Sequence, residues 1–477
     1  MLLHRAVCRQ PCARTRRFAP GDNDLYTHHY CYPHSHHDPA SIGNCHALTL
    51  PGSRHTYSHR HGHQHSYGHP YRHGHADGNQ YRFCTPYSHS VSHNTASYID
   101  LDFDLHLHPY GDADTYRDAD THRDVYMTEN LDFLKRLLSA PGLSGYEAPV
   151  REIIADAWRP LTDELSTSKL GSLHALKRGS APEPRSSLLI ATHMDAIGLM
   201  VTSISGEFLS ITKVGGIDPR VLPGQLVTVH GREDLPAVIA QPPAHLLPPD
   251  NRNGPVALDN LLVDTGLAAG EVSRLVRIGD LVSFAQTPIE MRGDTLAGHT
   301  LDNRASVAAL TACLEELQKR QLAWDLWAVA SSQEEETFGG AITSAFQLRP
   351  TLAVALDVIF ASSPGTPSHQ AVEMGKGIVI GLGPNIHPAL HKAFKELAER
   401  LEIPYVVMIF ETYSATDAYP MQVAAEGIPT MVLSIPLRYM HTPVEMVSLK
   451  DIQRAGRLLA EFAAGLNAKF MDKLTWD

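Results

Sequence analysis

Lysine and glutamate are missing altogether from the first 126 residues of this 477-residue chain. The same stretch holds 20 of the 29 histidines, 12 of the 17 tyrosines and five of the six cysteines. Asp, His and Tyr are abundant there. In the genetic code Asp, His and Asn differ from Glu, Gln and Lys only in ending on a pyrimidine, and Tyr differs in the same way from two stop codons. A bias of that kind over 126 residues is a nucleotide pattern rather than a protein design. The repeats DADTYRDADTHRD and YGHPYRHGH point the same way. Such a segment cannot bury enough apolar surface to fold alone. The expectation for 1–126 is a low-complexity His/Tyr-rich extension, disordered or a misassigned start, with Met127 as the natural first residue. The run SHRHGHQHSYGHPYRHGH also admits a weaker alternative, a His-rich metal-binding protein, because imidazole is a common metal ligand.

Other absences narrow the rest of the chain. From Met127 onward there is one cysteine, Cys313, so no intrachain disulfide is available there. Its expected role is packing inside a helix, and a reducing cytoplasm fits. That part carries 29 Lys and Arg against 40 Asp and Glu, so about −11 of the −12 net charge lies in it. With no basic stripe to neutralise phosphates, nucleic acid is not an expected partner. No run of 18 apolar residues exists, which argues against a membrane-spanning helix. The first 20 residues have arginines but no apolar h-region, so a secretory signal is not expected.

Globular patterning begins directly after Met127. Leu131, Leu134, Leu137 and Leu138 form a helical stripe. Ser144 and Glu147 have capping-box spacing ahead of a second amphipathic helix carrying Val150, Ile153, Ile154, Ala157 and Trp158. Apolar strands are expected at 187–192, 325–332, 352–356 and 429–435. Helices are expected at about 303–319, 387–401 and 448–466. Strands alternating with helices imply an α/β fold, a mixed sheet covered by helices. The stretch 197–296 differs, with short segments such as GLMVTSIS, EFLSITKV and GQLVTVHG and no long helical pattern. It predicts a small β-rich domain inserted between 127–196 and 297–477.

The residues that carry chemistry follow the predicted strands: His193 and Asp195 in ATHMDAIG, Asp302 in GHTLDNRAS, Glu334 and Glu335 in SSQEEETFGGA, Asp357 in AVALDV and His441 in RYMHTPVE. The carboxyl ends of strands are where an open α/β sheet places its ligands. Taken singly, each has an ordinary explanation. His193 and Asp195 suit a surface turn, Asp302 a helix N-cap, and the acidic run ending in Glu336 a solvated loop. Asp357 is harder to explain by packing, because a charge at a buried strand end must be paired or metal-bound. Together they make the donor set of two divalent metals sharing one carboxylate, with a carboxylate left for proton transfer. In extended backbone, His193 and Asp195 would point the same way, so Asp195 could orient the imidazole. Glu334 and Glu335 would face opposite ways and do two jobs.

In these segments the chain resembles the M42 metallopeptidases, the glutamyl, leucyl and lysyl aminopeptidases that include the TET particles. LSAPGLSGYEAPVRE, KVGGIDPRVLPGQLV, LLVDTG, IGDLVSF, MGKGIVI and SATDAY add to the likeness, which runs from Met127 to about Phe470. The resemblance implies a zinc-peptidase-like catalytic domain with a PDZ-like dimerisation insert. It implies two metal ions per subunit, zinc first, with cobalt or manganese as alternatives. One ion would be held by His193, Asp302 and Asp357, the other by Asp302, Glu335 and His441. Glu334 would be the general base and Asp195 the support of His193. Thr416 and Asp417 would lie at the substrate site. Peptide substrates, dimers and a dodecamer are the implied partners and assembly. The chain departs from the family pattern at Glu336 and Thr337, where Val-Gly is usual. It departs also at Val406, where Gln is usual, and at Ser414 and Ala415. These fall near the expected substrate pocket, not on the metals. A glycosidase is the enzymatic alternative, since paired carboxylates are its chemistry, but it leaves His193 and His441 without a task.

Overall fold

The computed structural model describes residues 130–474, except 248, 250, 251, 253, 255 and 367–371. The expectation for 1–126 lies outside the described residues. The strands, in chain order, are β1 (Glu164–Thr167), β2 (Leu173–Lys177), β3 (Ser187–His193), β4 (Gly198–Ser205), β5 (Phe208–Val214), β6 (Leu226–His230), β7 (Asp234–Ala240), β8 (Leu262–Asp264) and β9 (Leu281–Phe284). There follow β10 (Ile289–Met291), β11 (Thr295–Gly298), β12 (Asp325–Ser331), β13 (Leu352–Phe360), β14 (Ile378–Leu382), β15 (Tyr405–Ile409), β16 (Thr430–Arg438) and β17 (Glu445–Ser448). The helices are α1 (130–139), α2 (Ala148–Trp158), α3 (Ala269–Leu275), α4 (Leu301–Glu316), α5 (Glu334–Thr337), α6 (Gly339–Leu348), α7 (Pro388–Arg400), α8 (Ala418–Gln422) and α9 (Leu449–Gly465).

Eleven strands form one mixed sheet in the order β1-β2-β12-β3-β13-β16-β17-β11-β10, with β14 and β15 branching from β16. Its centre is parallel: β12, β3, β13 and β16 run together, with Ser331 level with His193 and Asp357 level with Ser434. These strands are apolar over most of their length because helices lie over them. Leu188, Leu189, Ile190, Val354, Leu356, Val432 and Leu433 are all buried. Helix α4 lies against β3 and β13 and packs on α9; α6 and α8 pair with each other and touch β12 and β13 respectively. Small residues at Ala305, Ala308, Ala309 and Ala312 let α4 be enclosed almost all round. Each fully buried leucine in this core contributes about 1.5–3 kcal/mol.

The β-rich insertion is a closed six-stranded barrel, β4-β5-β8-β7-β6-β9, with its own core of Leu199, Val229, Ile239 and Val263 among others. Buried and exposed residues alternate along β7, the period of a strand with one wet face. Closure leaves no free edge to pair with another chain. Strands β10 and β11 belong to the large sheet. Among the described residues no helix is long and apolar enough to cross a membrane.

Several local expectations need correction. Ser144 and Glu147 form no capping box: α2 has Glu147 as its N-cap residue without a side-chain cap, and Ser144 Oγ has no partner. Glu147 Oε1 instead accepts from Gly145 N and Gln333 N, at 2.7 and 3.0 Å, tying α2 to the loop ahead of α5. Strand β13 does not stop at residue 356 but runs through Asp357 to Phe360, paired with β16 all the way. Glu334 and Glu335 are not extended; they open a helical turn, because Gln333 takes a left-handed conformation with φ of 58°.

Candidate metal centre

The carboxyl ends of β3, β12, β13 and β16 converge, and all seven predicted residues meet there. His193 is the last residue of β3 and is 2 % exposed. Its Nε2 lies 3.1 Å from Asp302 Oδ1, 3.7 Å from Asp357 Oδ1 and 3.8 Å from Glu334 Oε2. His441 Nε2 lies 3.4 Å from Asp302 Oδ2 and 3.4 Å from Glu335 Oε2. The two oxygens of Asp302 therefore face different imidazoles. Asp302 caps nothing: it and Asn303 break the first turn of α4 with non-helical angles, which turns the carboxylate toward the histidines. Asn303 Nδ2 fixes that turn by donating to Leu356 O at 3.0 Å.

Two groups of donors result, His193–Asp302–Asp357 and Asp302–Glu335–His441, each with its donor atoms within 4.8 Å of one another. Donors about 2.0–2.1 Å from a tetrahedral zinc stand about 3.3 Å apart, close to the spacing of both imidazoles from Asp302. The donor types, imidazole nitrogen and carboxylate oxygen, also suit such an ion. The electrostatics agree. Burial, with Asp357, Asp417 and Glu335 adding to it against His193, pushes Glu334 up to about 11. Burial and Asp302 push Glu335 up to about 8. Burial also raises Asp357 and Asp417, the latter to about 7. Asp302 is the exception: although burial opposes it, contact with His193 and His441 holds its carboxyl below the usual range. His441, in contact with Asp302, rises to about 9. The protein thus crowds more buried carboxyls here than its own cations can neutralise, and two divalent ions would supply the missing charge.

Residues behind the donors hold them in place. Asp195 is fully buried; its Oδ1 accepts from Glu334 N at 3.0 Å and its Oδ2 from Glu335 N at 3.2 Å, so it anchors the start of α5. The same Oδ1 stands 3.4 Å from His193 Nδ1, a loose contact. Glu445, on the other side, accepts from Asp302 N at 3.0 Å and His441 N at 2.9 Å. Arg304 is fully buried beneath the cluster and donates to the carbonyls of Leu137, Ala140 and Met194. Gly142 leaves room for it: a Cβ there would meet Arg304 Nη2 at 2.8 Å. Sequence reasoning passed over Glu445, Arg304 and the bracing role of Glu147, although the first two stand inside the segments RYMHTPVE and LDNRAS. An acid four residues after a candidate ligand was the available signal.

The cluster opens into a cleft of about 910 Å³. Thr416 lines it, with its Oγ1 2.9 Å from Ser414 Oγ. Asp417 does not line it; it is buried behind, accepting from Ser331 Oγ, with Oδ1 unpartnered. Glu336, expected near the substrate pocket, lines the cleft and accepts from Gly215 N of the barrel at 2.6 Å.

A mixed α/β sheet with a carboxylate–imidazole cluster at its parallel strand ends defines a hydrolase of the metallopeptidase type. The chain belongs to the M42 glutamyl aminopeptidase family, whose model matches residues 171–458, and is accordingly a peptide hydrolase. It is 33% identical over 333 residues to the lysyl aminopeptidase of Pyrococcus furiosus, covering 69% of this chain and 94% of that protein. Its structure matches a TET aminopeptidase from the marine sediment archaeon Thaumarchaeota archaeon SCGC AB-539-E09, with TM-score 0.69, 29% identity and coverage of 73% and 99%. It also matches the Pyrococcus horikoshii TET1 peptidase, described as assembling into a tetrahedron or a large octahedral shell, with TM-score 0.63, 30% identity and coverage of 71% and 100%.

Proposed function

We propose that the protein is a dinuclear, metal-dependent aminopeptidase that removes N-terminal residues from short peptides. The observation that carries this is Asp302, with one oxygen toward each imidazole and a second carboxylate completing each group. His193, Asp302 and Asp357 would hold one ion, and Asp302, Glu335 and His441 the other. Zinc suits the donors best, with cobalt or manganese as alternatives. Two such ions, when bound, polarise the scissile carbonyl and acidify a water in the cleft.

The chain's own groups do the rest. Glu334 Oε2 reaches toward His193 from a buried position, where a carboxylate is a stronger base than in water. It takes the proton of the attacking water and passes it to the leaving amine. Asp195 holds α5 so that Glu334 and Glu335 face the cluster, and it flanks His193. Thr416 meets the substrate in the cleft, while Asp417, one layer behind, favours the cationic amino terminus through its charge. The inserted barrel is the PDZ-like dimerisation domain in this reading, and dimers build a dodecamer. The glycosidase reading has no use for imidazoles 3.1 and 3.4 Å from a shared carboxylate.

Chelation tests the reading. Protein stripped of metal should lose hydrolysis of leucine p-nitroanilide and regain it with zinc, cobalt or manganese at two ions per chain. Full activity at zero metal content would end the proposal, and metal-independent cleavage of a β-glucan would install the glycosidase instead.

A further inference from the structure

We propose that the subsite beside the carboxylate cluster takes large apolar N-terminal side chains, such as leucine, methionine and phenylalanine, and rejects acidic ones. The inference rests on the aminopeptidase reading and deepens it. It starts from the composition of the cleft. Away from the cluster its walls come from the end of β13, the edge strand β15 with the loop that follows, and Met440. Phe360, Val406, Met408, Ile409 and Met440 all line it. No lysine or arginine is among its described lining residues. Phe360 is 61 % exposed and Ile409 69 %, an unusual display of apolar surface for side chains with no binding task.

The two ends of a substrate residue are therefore treated differently. Its ammonium group faces a concentration of carboxylates. Its side chain faces aliphatic and aromatic walls, where each missing methylene costs roughly tenfold in kcat/KM. A glutamate or aspartate side chain would be desolvated without a cation to pair with. It would also face Glu336 and Glu411, the acids that line the cleft outside the cluster. A lysine side chain can lay its stem on the same walls and reach these acids with its head, so it ranks between the two.

The test is a panel of leucine, methionine, phenylalanine, alanine, lysine and glutamate p-nitroanilides with the full metal-loaded chain. The expected kcat/KM is highest for the first three, at least ~10-fold lower for alanine and at least ~100-fold lower for glutamate. Glutamate within tenfold of leucine overturns the inference and leaves the peptidase reading standing. Lysine above leucine also overturns it, by moving the determinant to Glu336 and Glu411. Cleavage of nothing in the panel overturns both readings. Val406 supplies a second measurement. It is only partly covered on an edge strand, so a longer polar side chain can be accommodated. Val406→Lys should raise the glutamate-to-leucine ratio at least ~10-fold, because it adds the missing cation. Val406→Gln, with polarity but no charge, should move the ratio less than about threefold. An unchanged ratio in Val406→Lys removes this wall as the specificity determinant.

Discussion

His193 and Asp357 reach the centre from adjacent parallel strands, whereas Glu335 and His441 reach it from a helical turn and a loop. The first pair is locked by the sheet itself. The second depends on outside supports. His441 has a left-handed backbone (φ 61°) and is about a third exposed, its amide is held by Glu445, and its Nδ1 donates to Gly216 O of the barrel at 3.0 Å. Backbone in that region persists only where its surroundings impose it. The difference teaches that one half of the centre is a property of the sheet, and the other half a property of how barrel and sheet meet. The first group should bind its ion more tightly and release it later.

Breaking the member common to both halves has the largest effect. Asp302→Ala should lose both ions and all measurable activity, whereas His193→Ala or Glu335→Ala should weaken mainly one site. Metal analysis after dialysis decides it, and two ions per chain in Asp302→Ala would sink the bridge. Next comes the base. Glu334→Gln keeps the size and the backbone contact to Asp195, so it should keep both ions while kcat falls at least ~10²-fold. An unchanged kcat would free Glu334 of that role. A smaller effect separates the halves. In Glu445→Gln one of two carboxylate acceptors becomes an NH2 group facing an amide donor, Asp302 N or His441 N. Affinity at the second site should drop about 10–100-fold, the usual scale for a residue that orients a ligand. Calorimetric titration would show the two binding steps further apart than in the unmodified chain. An equal loss at both sites would mean that Glu445 serves only Asp302.

The same contrast explains what could be read before any coordinates. The sheet-borne half was legible, because a polar residue that ends or interrupts an apolar run has few ordinary explanations: His193 ends β3 and Asp357 interrupts β13. Glu334 and Glu335 were found by their pairing, but their backbone was misjudged. An acidic pair after a strand looks extended until the positive φ of Gln333 is known. The bracing residues were not legible. Glu445 acts through backbone amides 143 and four residues away, and Arg304 through carbonyls 110 to 167 residues away. Apart from the four-residue spacing of Glu445 from His441, such contacts leave no local pattern. The barrel was visible as short alternating strands, but its closure depends on β4 meeting β9 about 80 residues later. Its place at the lip of the centre follows from its insertion between Asp195 and Asp302, but its contacts through Gly215 and Gly216 have no sequence signal.

Those contacts yield the two smallest effects, and the pair is diagnostic. A Cβ on Gly216 would meet His441 Nδ1 at 2.8 Å and Cε1 at 3.1 Å. Gly216→Ala must therefore push the imidazole away from the carbonyl that orients it. The second ion should weaken by about tenfold, at the low end for a lost orienting contact, while the first ion and the fold stay as they were. If the barrel matters only as an assembly domain, this variant will bind both ions normally, and the dependence of the second half on the barrel is wrong. Glu336 supplies the control. It touches the neighbouring amide, Gly215 N, through one carboxylate oxygen. In Glu336→Gln the amide oxygen can still accept that bond, and no metal donor is lost. Activity on leucine p-nitroanilide should change by less than tenfold. A loss as large as that of Glu334→Gln would place the base two positions later in the acidic run, and the assignment of Glu334 would have to be withdrawn.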